Sequence, residues 1–175
     1  MKSDNIKNLS IDELTKLIKN GNTNPDNYYR RAIAYKDKGM FDSATADIDH
    51  AIILNPKNAE YFFLKALIVR SQWIINPSST FDSDSTKLQF KNFDKAIELN
   101  PNVAKYYLYR GIIRDDFLIP GVVVDGRTID DLVKAVNINP KYRYAWIKLG
   151  DCYSTDGDYR WAIKAYTQAI EIEPE

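Results

Sequence analysis

Apolar residues recur at helical spacing in four successive sets along this chain. In the last set Trp146, Leu149, Gly150 and Tyr153 stand at i, i+3, i+4 and i+7; Asp156-Gly157-Asp158 follows, then Ala162, Tyr166 and Ala169. That periodicity puts each run on one face of a helix, with a turn between the two helices. The first set reads the same way through Tyr28, Ala32, Tyr35, Gly39, Phe41, Ala44, Ile48 and Ala51. In every set an aromatic precedes a small residue by four positions: Tyr28/Ala32, Phe62/Ala66, Tyr107/Gly111 and Trp146/Gly150. Such a pair shares a helix face, and the small member leaves room for a partner helix. Each set closes on one tag, AIILNP (51–56), AIELNP (96–101), AVNINP (135–140) or AIEIEP (169–174), with an alanine five residues before a proline. The predicted fold class is all-α.

The first 23 residues lie outside this pattern. Ser10 and Glu13 form a capping box, Ile11, Leu14, Leu17 and Ile18 make an amphipathic stripe, and Gly21 ends it. They predict an extra N-terminal helix over residues 1–23, packed on the first hairpin.

The last set resembles the tetratricopeptide repeat, which reads W-x2-L-G-x2-Y, then A-x3-F, then P. The first set matches nearly as well, and in both 28 residues separate the aromatic from the proline. The resemblance covers about residues 24–175, with repeats at about 25–58, 59–103, 104–142 and 143–175. It implies an α-solenoid of about four hairpins, stacked in a right-handed superhelix because one hairpin cannot bury its apolar face alone.

The middle repeats depart from the pattern. Phe62 to Pro101 spans 39 residues and Tyr107 to Pro140 spans 33, the excess falling between the two helices of each hairpin. Trp73-Ile74-Ile75 predicts an extended first helix ended at Pro77, with Ser85 capping the second helix. In the third repeat Pro120-Gly121 and Asp125-Gly126 are turn signals, and Thr128 with Asp131 reads as a capping box. The two long turns are expected to pack together, Trp73, Ile74, Ile75 and Phe81 against Phe117, Leu118, Ile119 and Val122–Val124.

The resemblance also implies where a partner lies, since in this family the first helix of every hairpin lines the concave face. One step round from the packing face stand Tyr29 and Ile33, Phe63 and Leu67, Leu108 and Ile112, and Ile147 with Asp151. Seven of these eight are apolar. Either neighbouring first helices bury them, or they form an open strip of roughly a few hundred Å², enough to mark an interaction site. The candidate partner-binding residues are therefore Tyr29, Ile33, Phe63, Leu67, Leu108, Ile112 and Ile147, suited to an apolar peptide or an amphipathic helix. Relatives that hold chaperone carboxylate tails use Lys and Asn, then Asn, then Lys and Arg, where this chain has Tyr29, Ile33, Leu64, Lys105 and Tyr109. Only Lys105 agrees, so chaperone tails are not the expected partner.

Composition changes this picture little. Twenty-four basic residues balance twenty-four acidic ones, which argues against nucleic acid as partner, because neutralising phosphates supplies most of that affinity. The opening MKSDNIKNLS has no signal-peptide core, no stretch approaches the roughly 18 apolar residues of a membrane span, and Cys152 stands alone. A cytoplasmic protein, with no membrane partner, is expected. His50 and Cys152 read as ordinary repeat positions, since triads and zinc sites need several convergent ligands. Asp82-Ser83-Asp84 lacks the glycine and the acidic twelfth position of a calcium loop, where Lys87 and Phe93 stand. Asp115-Asp116 and Asp130-Asp131 read as surface helix-end carboxylates. No catalytic, cofactor-binding or metal-binding residue is assigned, and the chain is expected not to be an enzyme. Two other readings remain, a self-associating structural array and an accessory subunit of a larger complex. The array stops at Glu175 without a polar covering helix, so Ile163, Tyr166 and Ile170 are expected to be partly exposed. A second copy, giving a homodimer through the C-terminal repeat, or a downstream segment would cover them.

Overall fold

The computed structural model describes residues 9–75, 83–116 and 126–172. Among them are nine helices, which fall into two compact units, Met1–Leu99 and Asn100–Glu175. The all-α repeat fold expected from the hydrophobic pattern is present.

The first unit holds α1 (Ile11–Lys19), α2 (Pro25–Asp37), α3 (Phe41–Leu54), α4 (Ala59–Ile75) and α5 (Ser83–Leu99). Helix α1 opens on a complete Ser10–Glu13 capping box and buries Leu14 on α2. Helix α2 starts at Pro25, a residue pre-set for the first helical turn, and Asn24 caps it by accepting the Asp26 amide. Gly39 then takes φ 72°, a left-handed conformation that glycine adopts freely, and this lets α3 start two residues later. Ala32, Ala44, Ile48, Ala51, Tyr61, Leu64 and Ile68 form the core where α2, α3 and α4 meet.

The second unit holds α6 (Ala104–Asp116), α7 (Gly126–Ile138), α8 (Arg143–Thr155) and α9 (Tyr159–Glu171). Here α7 packs on α6 and α8, and α9 on α8. Gly157, at φ 83°, turns α8 into α9 as Gly39 does for the first hairpin. The proline tags have a defined role in this unit. Asn100 and Asn139 each accept the amide two residues on, shaping a turn around the following proline. The proline carbonyls are then held by the aromatic six residues downstream: Tyr107 Oη donates to Pro101 O at 3.1 Å and Trp146 Nε1 to Pro140 O at 2.8 Å.

Two local readings are corrected. Ser85 lies inside α5, which starts at Ser83, so it is not the cap. Thr128 is the third residue of α7 and fully buried, and its hydroxyl has no partner among the described residues. Its expected capping partner Asp131 is buried as well and turned to Arg110 and Arg114, so neither residue starts the helix and Asp131 is no surface carboxylate. The extension of α4 through Trp73-Ile74-Ile75 is present. The packing of the two long turns on each other falls on residues outside the described ones, as do the Asp82 loop and the Asp115-Asp116 side chains.

Each hairpin closes around a small residue on its first helix. Ala32 and Ala66 are fully buried, and a Cβ added at Gly111 would stand 3.3 Å from Asp131 Cβ. At Gly150 the approach is closer, with Tyr166 Cε1 only 2.6 Å from an added Cβ. The Tyr166 ring is tethered, because its hydroxyl donates to Asp151 Oδ1 at 2.8 Å. Gly150→Ala is therefore expected to destabilise the protein by about 1–2 kcal/mol, overpacking outweighing the gain in helix propensity. Urea denaturation should show this effect to be larger than that of Gly111→Ala.

Beside that contact, two hairpins carry a buried ion pair. Arg31 Nε and Nη2 donate to Asp47 Oδ2 and Oδ1, both at 2.7 Å, and Arg110 grips Asp131 in the same bidentate manner. Removing one partner strands a charge with little access to water, so Asp47→Ala should cost about 3 kcal/mol. Arg31→Leu combined with Asp47→Ala should recover most of that loss in the same thermal melt, since Leu149 and Ala165 occupy the two corresponding positions of the last hairpin.

Candidate functional site

The structure divides the seven candidate binding residues into two groups. Phe63 is 7% exposed and meets Phe93 of α5 edge-on at 5.9 Å, and Leu108 is 1% exposed. Both belong to the interior of their units, because α4 and α6 are apolar round more of their circumference than one packing face requires. The other five are half-buried. In the first unit these are Tyr29, Ile33 and Leu67, with Tyr29 and Ile33 resting on the core and Tyr29 tilted over Tyr61 at 5.2 Å. In the second they are Ile112 and Ile147.

What surrounds these residues differs between the units. In the first, the surroundings are acidic: Tyr61 Oη donates to Asp26 Oδ1 at 2.6 Å, and burial, then Glu60 and Asp26, push the Tyr29 phenol above its ordinary range. In the second, they are aromatic and basic. Tyr109 and Tyr144 are exposed, Lys148 lies over the Tyr144 ring at 5.7 Å, and Lys105 over Tyr106 at the same distance. Burial, with the neighbouring Tyr109 and Tyr144, raises the Tyr142 phenol. Asp151, the polar member of the row, accepts from Tyr166 and Lys148.

His50 is exposed on α3 and stacks on Tyr28 at 4.5 Å, and Cys152 is buried on α8. Among the described residues no helix is long and apolar enough to cross a membrane.

Periodicity did not single out Tyr61, Tyr109 and Tyr144, nor the Arg31–Asp47 and Arg110–Asp131 pairs. The pairs do leave a sequence signal. Three residues after each aromatic and four before each tag alanine stand Arg31/Asp47, Lys65/Asn92, Arg110/Asp131 and Leu149/Ala165. The character of one position follows that of the other.

The stacked helical hairpins, with small residues at each closure, define an α-helical repeat protein. Residues 25–58 and 144–175 each match the tetratricopeptide repeat family, and the chain is a tetratricopeptide repeat protein. It is 33% identical over 82 residues, 47% of its length, to small glutamine-rich tetratricopeptide repeat-containing protein 2 of Mycosarcoma maydis. It is 22% identical over 163 residues, 93% of its length, to a DnaJ homolog subfamily C member 7 homolog of Dictyostelium discoideum. The chain spans 22% and 30% of those two relatives. Among solved structures, MamA superposes with a TM-score of 0.72 at 20% identity, covering 92% of this chain and 85% of its own. TTC0263, a thermophilic tetratricopeptide protein of Thermus thermophilus, gives 0.71 at 15% identity, with 94% and 82% covered. YrrB, a tetratricopeptide protein with an unusual peptide-binding site, gives 0.65 at 16% identity, with 94% and 77% covered. The tetratricopeptide fold is in general a protein–protein interaction scaffold, and its members are typically non-enzymatic.

Tyr61 gives the first unit a distinctive alkaline response. Burial and the Asp26 carboxylate raise its phenol well above the ordinary value near 10. A folded-state pKa above the unfolded one contributes stability that is fully present below about pH 10 and lost as pH rises through the folded value. Ultraviolet difference titration should therefore show a late tyrosinate step coinciding with loss of helical circular dichroism. Tyr61→Phe should remove that late step.

Proposed function

We propose that this chain is a non-enzymatic, cytoplasmic adaptor that binds an apolar peptide or an amphipathic helix on the outward faces of its first helices. The observation that carries this reading is the set of half-buried apolar side chains on α2, α4, α6 and α8: Tyr29, Ile33, Leu67, Ile112 and Ile147. Each already rests partly on its own unit, so it is held in place while one side stays open to a ligand. Such preorganisation lowers the ordering cost of association. In the second unit the exposed rings of Tyr109 and Tyr144 add large, rigid, amphipathic contact area. Three or four such anchors contribute roughly 1.5–3 kcal/mol each. Against an association cost of at least about 4 kcal/mol, they leave at most about 8 kcal/mol, so these anchors alone give affinities no tighter than about micromolar.

Selection of peptides from a random display library by the wild-type chain tests this reading. The enriched sequences should carry apolar residues at helical or alternating spacing. Ile112→Ser combined with Ile147→Ser should weaken their binding by roughly 2–4 kcal/mol while leaving the chain folded with full helical circular dichroism. Phe63→Ser serves as the packing control and should lower the melting temperature instead. If the double variant binds the selected peptides as well as wild type, the first-helix faces are not the site.

A further inference from the structure

The second unit has another concave surface, on a different side of α8 from Ile147. Helices α7 and α9 flank α8, and between them lies a cleft of about 640 Å³. Its lining is mostly apolar and includes Val133, Val136, Trp146, Leu149 and Trp161. That volume is in the range of built ligand sites. Large side chains on α9 are left in solvent: Trp161 is 51% and Ile163 66% exposed, and both line the cleft.

One cation stands in this apolar surface. Lys164 lines the cleft, and among the described residues no carboxylate does. Its ammonium lies 4.2 Å from the centroid of the Trp161 ring and has no hydrogen-bond or ion-pair partner among the described residues. A cation over an indole face is attracted by the ring quadrupole, which leaves its N–H donors free for an incoming acceptor. Tyr153 also lines the cleft, its ring tilted against Trp161 at 6.2 Å, and burial, then Asp158 and Asp130, raise its phenol.

We propose that this cleft docks an amphipathic helix that brings an acidic side chain to Lys164. The apolar stripe of such a helix fills the space between α7 and α9, covering Trp161 and Ile163. Its carboxylate meets the Lys164 ammonium beside the Trp161 ring. Charge in this position selects among apolar helices more than it adds to affinity.

The test uses the full chain and two stapled helical peptides bearing leucines at i, i+3, i+4 and i+7, one flanked by glutamate and the other by lysine. Fluorescence anisotropy should show the glutamate peptide binding about fivefold tighter, with the preference shrinking as salt rises. Lys164→Glu should reverse that preference, and Trp161→Ala should weaken both peptides. Because both side chains are exposed, circular dichroism should show each variant folded. Equal binding of the two peptides, or a preference that survives Lys164→Glu, would overturn the proposal. So would a monomer–dimer equilibrium, seen by sedimentation velocity, that Trp161→Ala abolishes, since a second copy would then be the occupant.

Discussion

Two helices of a hairpin can approach closely only where one of them has almost no side chain, and this architecture follows from that constraint. Ala32, Ala66, Gly111 and Gly150 hold the same register in successive hairpins, and all four are buried. Close approach brings the flanking positions of the two helices within reach of each other. Atoms there must be matched as pairs, because a dense interior leaves no slack to absorb a mismatch. Tyr166 over Gly150 is the extreme case, a ring occupying the volume that any side chain at 150 would need.

The Arg–Asp pairs are a second consequence of that closeness. A repeat array contains several similar second helices, and apolar packing alone distinguishes poorly among them. If α2 were set against α5 in the register it keeps with α3, Arg31 would face Asn92 in place of Asp47. A buried guanidinium facing a neutral amide loses its bidentate acceptor, and the wrong hairpin is penalised more than the right one is rewarded. Correct neighbour choice is thus favoured by charges that add little to stability when everything is in place.

Much of this was legible from residue spacing. The tags, the aromatic and small pairs, and the glycines at 39 and 157 describe the hairpins, because helix periodicity and left-handed turns are properties of short stretches of chain. The starts of α5 and α7 were not legible. Ser85 and the Thr128–Asp131 combination have good capping chemistry, yet α5 begins two residues before Ser85, and tertiary contacts draw Asp131 to two arginines of α6. Spacing also placed Phe63 and Leu108 alongside Ile112 and Ile147, although the first two are interior. A position on a helical wheel says which side a residue faces, but not how far a neighbouring helix reaches round to cover it. The cleft between α7 and α9 was hidden for a related reason. It lies between helices that are not consecutive in the chain, and no local pattern records their separation.

The nine residues of α1 are too few to hold a helix in water by themselves, even with both ends capped. Besides burying Leu14, the helix is tied to its neighbour through Thr15, whose hydroxyl accepts from Arg31 Nη1 at 2.9 Å while Nε and Nη2 of the same guanidinium hold Asp47. The guanidinium is oriented for Thr15 only after α2 and α3 have closed on each other. The helix therefore takes its form on a template supplied by chain that follows it in sequence.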